Sequence, residues 1–476
     1  MNEATGIFDR SSLHRFLVPV LIGFVLWFLP EPEGLDPRAW KMLAVFVATM
    51  AGIVMAPLPM AAVAIIGAVV ASLVGVLDFG EVVGSNGTDL VWLVLLAFFI
   101  SRGVIKSGLG RRVALTFVRV LGKRTVGLGY GLAMADLVVA PAMPSITARA
   151  GGVVLPITRA MAEVMGSLPE PDTRRRVGSY LILCAFHANV MTGAMFVTAM
   201  AGNPITVELA AEAGVSISWL DWAVAASLPG LLCLVVIPIA MLRLARPEIM
   251  ETPGAADLAR RELTAMGSFS RDEAVMAVIF LGLIALWVFG GFIGIGASQA
   301  AAMGVVVMLL FGVLTWDDAL KEKAAWDTMI WIGLLVVLAS KLNEYGLVAW
   351  FGGTIEQHLS GLTTVTAFVI VSAVYVYVHY FFASAAAHIS ALFPVALALI
   401  VAAGFPALPA AIALGALSNV MGCLTQYAIG SAPVMFGAGY VTQAEWWKAG
   451  FVMSLIYLGI WLTVGPVWWT VIGLNR

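Results

Sequence analysis

The 476-residue sequence has few charged residues and few cysteines. Asp, Glu, Lys and Arg make up 11% of the chain, whereas a soluble domain needs about a quarter of its residues charged to cover its surface. The net charge is −2 and no segment forms a basic domain, which excludes nucleic-acid binding. Cys184, Cys233 and Cys423 form no CxxC pair, which argues against a disulfide framework or a zinc site.

Long apolar runs dominate the chain instead, with 61% hydrophobic residues and a mean hydropathy of +0.99. Runs of about 17–25 apolar residues predict membrane-spanning helices. Eleven such runs lie at 16–30, 40–56, 58–77, 90–105, 178–201, 219–242, 273–292, 297–315, 327–341, 408–427 and 450–473. The predicted fold class is therefore an all-α polytopic membrane protein with about eleven transmembrane helices.

Two further apolar stretches, 126–161 and 363–403, are interrupted near the middle by small and polar residues. The interruptions are Ala-Met-Pro-Ser-Ile-Thr at 142–147 and Ala-Ser-Ala-Ala-Ala-His at 383–388. Bare backbone is costly in lipid, so a broken helix persists only where protein buries it or where it lines a wet cavity. We interpret the two stretches as re-entrant helical hairpins, the first hairpin and the second hairpin; kinks between packed helices are the alternative.

Lys and Arg are unevenly distributed along the chain. They are concentrated in segments such as 106–124 and 243–271, whereas 342–447 contains neither. Basic loops stay in the cytoplasm, which predicts a cytoplasmic N-terminus and an outside C-terminus in the inner membrane. The first hairpin then opens from the cytoplasm and the second hairpin from the outside.

Opposite openings suggest an inverted repeat, and single residues support one. Trp92, Ser101, Arg102 and Ser145 recur 239 residues later as Trp331, Ser340, Lys341 and Ser384. At the same offset Arg149 corresponds to His388. Further along, the Asn-Val-Met at 189–191 returns at 419–421, at an offset of 230. Such a repeat with paired broken helices is typical of a secondary transporter whose site lies at the repeat interface.

The predicted organisation follows from the runs, the basic loops and the repeat. Scaffold helices occupy 1–89, the first repeat 90–245, a cytoplasmic loop 246–272, further scaffold helices 273–326, and the second repeat 327–476.

Arg149 and His388 are the clearest candidates for a functional charge. A cation inside an apolar arm costs at least ~2.5 kcal/mol unless it faces protein or water. Arg149 either pairs with Asp136 on the other arm of its hairpin, or faces a carboxylate substrate or stands where a metal cation binds. His388 is either a packed core residue or the cation of the second half. The predicted substrate contacts are Ser145, Thr147, Arg149, Ser384 and His388, flanked by Asn189, Asn419 and Thr425.

Several motifs resemble those of one transporter family. They are Ala-Phe-Phe-Ile-Ser-Arg-Gly at 97–103, Ser-Gly-Leu-Gly-Arg-Arg at 107–112, Ala-Pro-Ala-Met-Pro-Ser-Ile-Thr-Ala-Arg-Ala-Gly-Gly at 140–152, Tyr-Phe-Phe-Ala-Ser-Ala-Ala-Ala-His at 380–388 and Ser-Asn-Val-Met-Gly-Cys-Leu-Thr-Gln-Tyr at 418–427. The chain resembles the divalent anion:sodium symporter family, nearest its citrate/succinate, tartrate/succinate and 2-oxoglutarate/malate antiporters. The resemblance implies a homodimer of inverted repeats that moves di- or tricarboxylates by an elevator motion of the hairpin-bearing domain.

The family's hairpin tips carry Ser-Asn-Thr signatures, which this chain departs from. The corresponding residues are Ser145, Ile146 and Thr147 in the first tip and Ser384, Ala385 and Ala386 in the second. The resemblance adds Ile146, Ala385 and Ala386 to the substrate contacts and places any sodium near Ser145, Thr147 and Ser384. Because Ile146 replaces an Asn of the sodium-coupled members, the departures argue against sodium binding, and no other cofactor is expected.

The predicted function is secondary transport of small di- or tricarboxylates by anion exchange, with the lipid bilayer, the carboxylate and a second copy as partners. A fixed Arg149 or His388 would leave the empty carrier with an uncompensated positive charge, and its return through low dielectric would be disfavoured. Sodium-coupled symport is the alternative. An ion channel or a structural membrane subunit is the alternative of another class, but 363–444 contains none of the charge that channel rings use. No GxxxxGK[ST] or HExxH motif is present, so we expect no enzyme.

Overall fold

The computed structural model of the protein describes residues 10–359 and 362–474. Residues 1–9 and 475–476, which begin and end the predicted units 1–89 and 327–476, lie outside the described residues, as do 360–361. Apart from a single bridge between Arg124 and Glu251, the described residues form helices joined by turns and loops. The all-α prediction is confirmed over this part of the chain.

The helices are numbered in chain order. The first twelve are α1 (Arg10–Phe28), α2 (Pro37–Met55), α3 (Met60–Leu73), α4 (Phe79–Gly84), α5 (Asp89–Ser107), α6 (Leu109–Leu121), α7 (Thr125–Val139), α8 (Ile146–Arg149), α9 (Leu155–Val164), α10 (Gly178–Met195), α11 (Gly202–Glu212) and α12 (Trp219–Leu244). The others are α13 (Pro253–Met266), α14 (Arg271–Phe289), α15 (Ala297–Leu310), α16 (Trp316–Lys321), α17 (Lys323–Glu344), α18 (Leu347–Leu359), α19 (Thr364–Val378), α20 (Ala385–Ala402), α21 (Ala407–Val420), α22 (Ser431–Phe436) and α23 (Gln443–Val471). A π-helical turn, Ala150–Val154, joins α8 to α9.

Nine helical segments of the described chain are long and apolar enough to cross a membrane. They are Pro37–Met55, Asp89–Ser107, Thr125–Ala142, Trp219–Leu244, Arg271–Ile293, Lys323–Glu344, Thr364–Phe381, Ala385–Ala402 and Gln443–Val471. Each of the eleven predicted runs overlaps one helix, but some of these helices, such as α3 and α15, are shorter. The prediction of many apolar helices is confirmed, and the count of eleven spans stays a prediction.

Local sequence sets matching helix ends in the two halves. Ser218 caps α12 and Thr442 caps α23, and in each case a carboxylate three residues later bonds back to the cap, a capping box. α5 is followed by Gly108 at φ 84° and α17 by Gly346 at φ 83°. This left-handed conformation is strained for residues with a Cβ, so glycine is needed at both turns.

The two hairpins have the same construction. In the first, α7 runs into a 3-10 turn at Ala140–Ala142, the chain is extended over 143–145, and α8 begins at Ile146. The second hairpin has the same order: α19, then the turn His379–Phe381, then the start of α20. Each of these elements begins 239 residues after its counterpart in the first hairpin. The helices therefore repeat at the offset that the residues indicated, whereas the unit boundaries and the opposite membrane orientation stay predictions.

The centre of the molecule is formed by α10 and α21, which contact each other. Every residue of α10 is buried, and so is α21 from Pro409 to Val420. α10 also packs on α7, and α21 packs on α19 and α20, so each central helix supports one hairpin. This arrangement places Asn189 and Asn419 in the interior, behind the hairpin tips.

Candidate functional site

The two hairpin tips line one cavity of about 760 Å³. The first tip contributes Pro144 to Ala148 and the second contributes Ala383 to Ala386. The cavity surface therefore brings together six of the predicted site residues, namely Ser145, Ile146, Thr147, Ser384, Ala385 and Ala386. The remaining wall includes residues of α5, the start of α17, the stretch 200–202 after α10 and the segment around Gly430.

Serine hydroxyls fix both helix starts at this cavity. Ser145 Oγ accepts a hydrogen bond from the backbone N–H of Ala148 at 3.1 Å. Ser384 Oγ accepts from the N–H of Ala387 at 3.3 Å. Serine is among the preferred residues for this capping position, and each cap is worth about 1 kcal/mol. The two serines thus hold α8 and α20 with their N-termini at the cavity.

The first N–H groups of both helices remain free. Within the described chain, the backbone N–H groups of Ile146, Thr147, Ala385 and Ala386 have no protein acceptor. Unpaired N–H groups at a helix start and the partial positive charge there favour an anion. The apolar side chains at three of these positions therefore do not prevent polar recognition, because the donors belong to the backbone.

Arg149 lies behind the first tip and does not line the cavity. Its side chain is fully buried and its Nε donates to Asp136 Oδ1 at 3.2 Å. Its Nη1 donates to the carbonyl oxygens of Met143 at 2.6 Å and Ala199 at 2.7 Å. The guanidinium thus ties the break in the first hairpin to the turn after α10. The position of Arg149 therefore fits the first interpretation drawn from the sequence, an ion pair with Asp136.

Asp136 completes a buried polar cluster. It accepts hydrogen bonds from Asn189 Nδ2 at 3.2 Å and from the hydroxyl of Thr192. Both donors come from α10, so the first hairpin is bonded to the central helix behind it. Because Asp136 is the counter-ion of Arg149, the positive charge expected for the empty carrier is compensated at this position.

The second half has an aromatic contact where the first half has the ion pair. At the 239-residue offset Tyr375 replaces Asp136 and His388 replaces Arg149. The rings of Tyr375 and His388 meet edge to face with centroids 4.6 Å apart, and the Tyr375 hydroxyl lies 2.7 Å from Ser418 Oγ on α21. His388 is fully buried, does not line the cavity, and has no hydrogen-bond partner among the described residues.

The flanking polar residues also lie behind the tips. Asn419 Nδ2 donates to Asn203 Oδ1 at 2.7 Å, while Asn419 Oδ1 and Thr425 Oγ1 find no partner in the described part of the chain. Both residues are fully buried and away from the cavity surface. As substrate contacts, the residues behind the tips stay predictions: Arg149, His388, Asn189, Asn419 and Thr425.

Carbonyl oxygens at the first break accept hydrogen bonds from a side-chain cation. Backbone carbonyls at broken helices are typical sodium ligands in transporters. Here the carbonyls of Met143 and Ala199 already accept from Arg149. The break therefore has a side-chain cation bound to carbonyls of the kind that would bind sodium.

Two charged residues on the cavity wall were not predicted as site residues. Arg102 from α5 is exposed in the cavity, and Glu322 lies at the start of α17. Burial raises the pKa of Glu322, and the charge of Arg102 opposes that shift. In the sequence, Arg102 served only as a marker of the repeat. Its position as a cation near the end of an apolar span is the feature that could have indicated a site residue.

The comparisons with known proteins agree with the motifs. A family model described as the sodium:sulfate symporter transmembrane region matches residues 10–475. The chain belongs to this family. Within the sodium:sulfate symporter family, the putative malate transporter YflS of Bacillus subtilis is 47% identical over 97% of both chains. Dicarboxylate transporter 1 of Spinacia oleracea chloroplasts is 44% identical over 98% of this chain and 82% of its own.

The citrate/succinate antiporter of Escherichia coli K12 is 34% identical over 96% of this chain and 98% of its own. Among solved structures, the YdaH transporter of Alcanivorax borkumensis has a TM-score of 0.57 at 14% identity, covering 98% of this chain and 97% of its own. Neisseria gonorrhoeae MtrF has a TM-score of 0.57 at 10% identity, covering 96% and 94%. These two likenesses concern the fold alone. The family resemblance is confirmed: the chain is a multi-pass membrane protein of a transporter family, not of an enzyme family.

Proposed function

We propose that the protein is a secondary transporter that exchanges small di- or tricarboxylates across the cytoplasmic membrane. One observation carries the proposal: two capped helix starts with free N–H groups line a single cavity. The relatives support the substrate class, because their names specify malate, dicarboxylates, and citrate with succinate.

In the proposed binding mode, one substrate carboxylate accepts hydrogen bonds at the tips. The donors are the N–H groups of Ile146, Thr147, Ala385 and Ala386, and the Thr147 hydroxyl adds a side-chain donor. Hydrogen bonds to a charged acceptor are the strong ones, at about 1.5–3 kcal/mol each. Ser145 and Ser384 act by holding the helix starts in place.

The exchange mode rests on Arg149. Its guanidinium occupies carbonyls that would otherwise suit a dissociable cation, so no sodium is needed to complete the first tip. Asp136 neutralises Arg149, and the charge left uncompensated in the empty carrier is the partial positive charge of the two helix starts. Moving those bare N–H groups through low dielectric is costly, and a bound anion satisfies them. Return without substrate is therefore disfavoured.

An elevator motion is the proposed mechanism, with the hairpins, α10 and α21 as the moving part. The bonds of Asp136 to α10 support this division, because they make the first hairpin and the central helix one unit. The cytoplasmic N-terminus and the homodimer belong to the same proposal.

Counterflow in proteoliposomes tests the exchange. Liposomes loaded with unlabelled malate should take up labelled malate quickly in sodium-free choline medium, and empty liposomes should take up little. Thr463→Ala is the matched control for variants, because this exposed hydroxyl bonds only within its own helix, to Gly459 O. Uptake that requires sodium would support symport instead, and rapid efflux without an anion outside would contradict exchange.

A further inference from the structure

We infer that Ser101 and Arg102 of α5 form a second carboxylate subsite in the cavity, which binds the far carboxylate of a dicarboxylate substrate. The inference rests on the proposed function, because the hairpin tips must hold the first carboxylate. Both residues line the same cavity as the tips. The subsite therefore selects substrates with two carboxylates.

Ser101 has the properties of an unoccupied polar contact. Its side chain is 3% exposed, yet its hydroxyl has no hydrogen-bond partner among the described residues. A buried hydroxyl without a partner costs about 1–3 kcal/mol. Ser101 lies on the cavity wall with its hydroxyl turned into the protein, so a rotation of the side chain would bring the hydroxyl to a bound ligand that satisfies it.

Arg102 supplies the charge next to Ser101. It is exposed in the cavity and, among the described residues, forms neither an ion pair nor a hydrogen bond. Glu322 on the same wall interacts with it electrostatically without direct pairing. A guanidinium is suited to a carboxylate because its planar donors match the two oxygens.

The second half shows what this residue pair binds. Ser340 and Lys341, which correspond to Ser101 and Arg102, are both occupied by carboxylates of the protein itself. The Ser340 hydroxyl donates to Glu212, and Lys341 Nζ lies 2.6 Å from carboxylate oxygens of both Glu81 and Glu344. In the second half, each residue of this serine–cation dipeptide thus binds a carboxylate, although not the same one.

The first half lacks the carboxylate that corresponds to Glu344. Ile105 stands at the repeat position of Glu344 and also lines the cavity. Carboxylates of the protein therefore bind Ser340 and Lys341 in the second half, whereas Ser101 and Arg102 remain available on the cavity wall in the first half. An anionic substrate held at the tips by one carboxylate would place its second carboxylate in a cavity whose wall carries the guanidinium of Arg102.

The test compares malate with lactate, a hydroxy acid with a single carboxylate, on the purified full-length protein. Thermal stabilisation over a concentration series gives both dissociation constants. Arg102→Gln should weaken malate binding about tenfold and leave lactate binding unchanged. Arg102→Lys should keep most of the preference for malate. Arg119→Gln is the matched control, because it removes an exposed arginine outside the cavity.

The outcomes separate this inference from the proposed function. Wild-type protein that binds no carboxylate would overturn both. Wild-type protein that binds malate, with an unchanged malate-to-lactate ratio in Arg102→Gln, would overturn the subsite alone. If Arg102→Gln does not fold, Ser101→Ala provides the same comparison: it should weaken malate binding about threefold and spare lactate, and an unchanged ratio would overturn the subsite.

Discussion

Arg149 donates to Asp136 at 3.2 Å inside the first hairpin, with both side chains fully buried. At the corresponding positions of the second hairpin, His388 and Tyr375 make a ring contact instead. Both contacts connect the two arms of a hairpin across its break. The two hairpins therefore have the same order of helices but different contacts between their arms. An ion pair joins the arms of the first hairpin, and an aromatic contact joins those of the second.

The first prediction concerns this ion pair. Arg149→Met should lower the free energy of unfolding by about 3–5 kcal/mol, because it leaves Asp136 buried and unpaired. The double variant Asp136→Leu/Arg149→Met should recover much of that loss, since it removes both buried charges. Thermal unfolding of the detergent-purified protein measures the effect. Unchanged stability in Arg149→Met, together with lost malate binding, would instead favour a direct substrate contact.

The second prediction concerns the space beside the first tip. A Cβ at Gly430 would lie 2.3 Å from Thr147 Oγ1, so Gly430→Ala should displace the Thr147 hydroxyl from its place on the cavity wall. Malate binding should weaken about tenfold, because the variant loses one hydrogen bond to a charged group. Gly459→Ala is the matched control, because nothing lies within 4 Å of its added Cβ. Equal malate affinities for the two variants would contradict the proposed tip contacts.

The third prediction concerns pH. Burial raises the pKa of Glu322 above its ordinary value, with Arg102 opposing. As the pH falls toward that pKa, Glu322 gains a proton, the cavity loses a negative charge, and an anion binds more tightly. Glu322→Gln should therefore bind malate about two- to fivefold more tightly than wild type at neutral pH. The difference should shrink as the pH is lowered, and binding titrations at several pH values measure it. A constant difference would show that Glu322 does not titrate in this range.

The fourth prediction concerns the contact between the Ser340 hydroxyl and Glu212. Glu212 ends α11, which packs on the hairpin helix α20, whereas Ser340 lies on α17, which packs on α2, α3 and α5. An elevator motion must break this contact. Crosslinking Ser340→Cys/Glu212→Cys should therefore abolish counterflow, and a reductant should restore it.

The matched control for the crosslink is Lys106→Cys/Asp318→Cys, which joins two residues outside the hairpins that are in direct contact as an ion pair. Its crosslink should leave counterflow intact. The native cysteines are buried, which limits side reactions. Full transport by the crosslinked Ser340/Glu212 variant would contradict the proposed division into moving and fixed parts.

The sequence predicted the breaks in the two apolar stretches and the serines at the helix starts, because a broken apolar run and a repeated serine are visible in a one-dimensional pattern. It left two interpretations of Arg149 open, because a buried cation in an apolar arm satisfies both until its partners are known. From the sequence, Arg102 is only a marker of the repeat. The pattern does not show that its equivalent, Lys341, is paired with a carboxylate of the protein, so it could not distinguish the two cations. The free N–H groups at Ile146 and Ala385 follow from the two interruptions themselves, because a helix that starts there leaves its first backbone donors unpaired.

The most direct test of the central claim is equilibrium binding of labelled malate to the purified protein, in sodium chloride and in choline chloride of equal ionic strength. We expect the same dissociation constant in both media, because Arg149 supplies the fixed cation at the first tip and the helix starts supply the donors. Ser384→Ala should weaken binding equally in both media, since it loosens the start of α20. Malate binding that appears only with sodium would contradict the account.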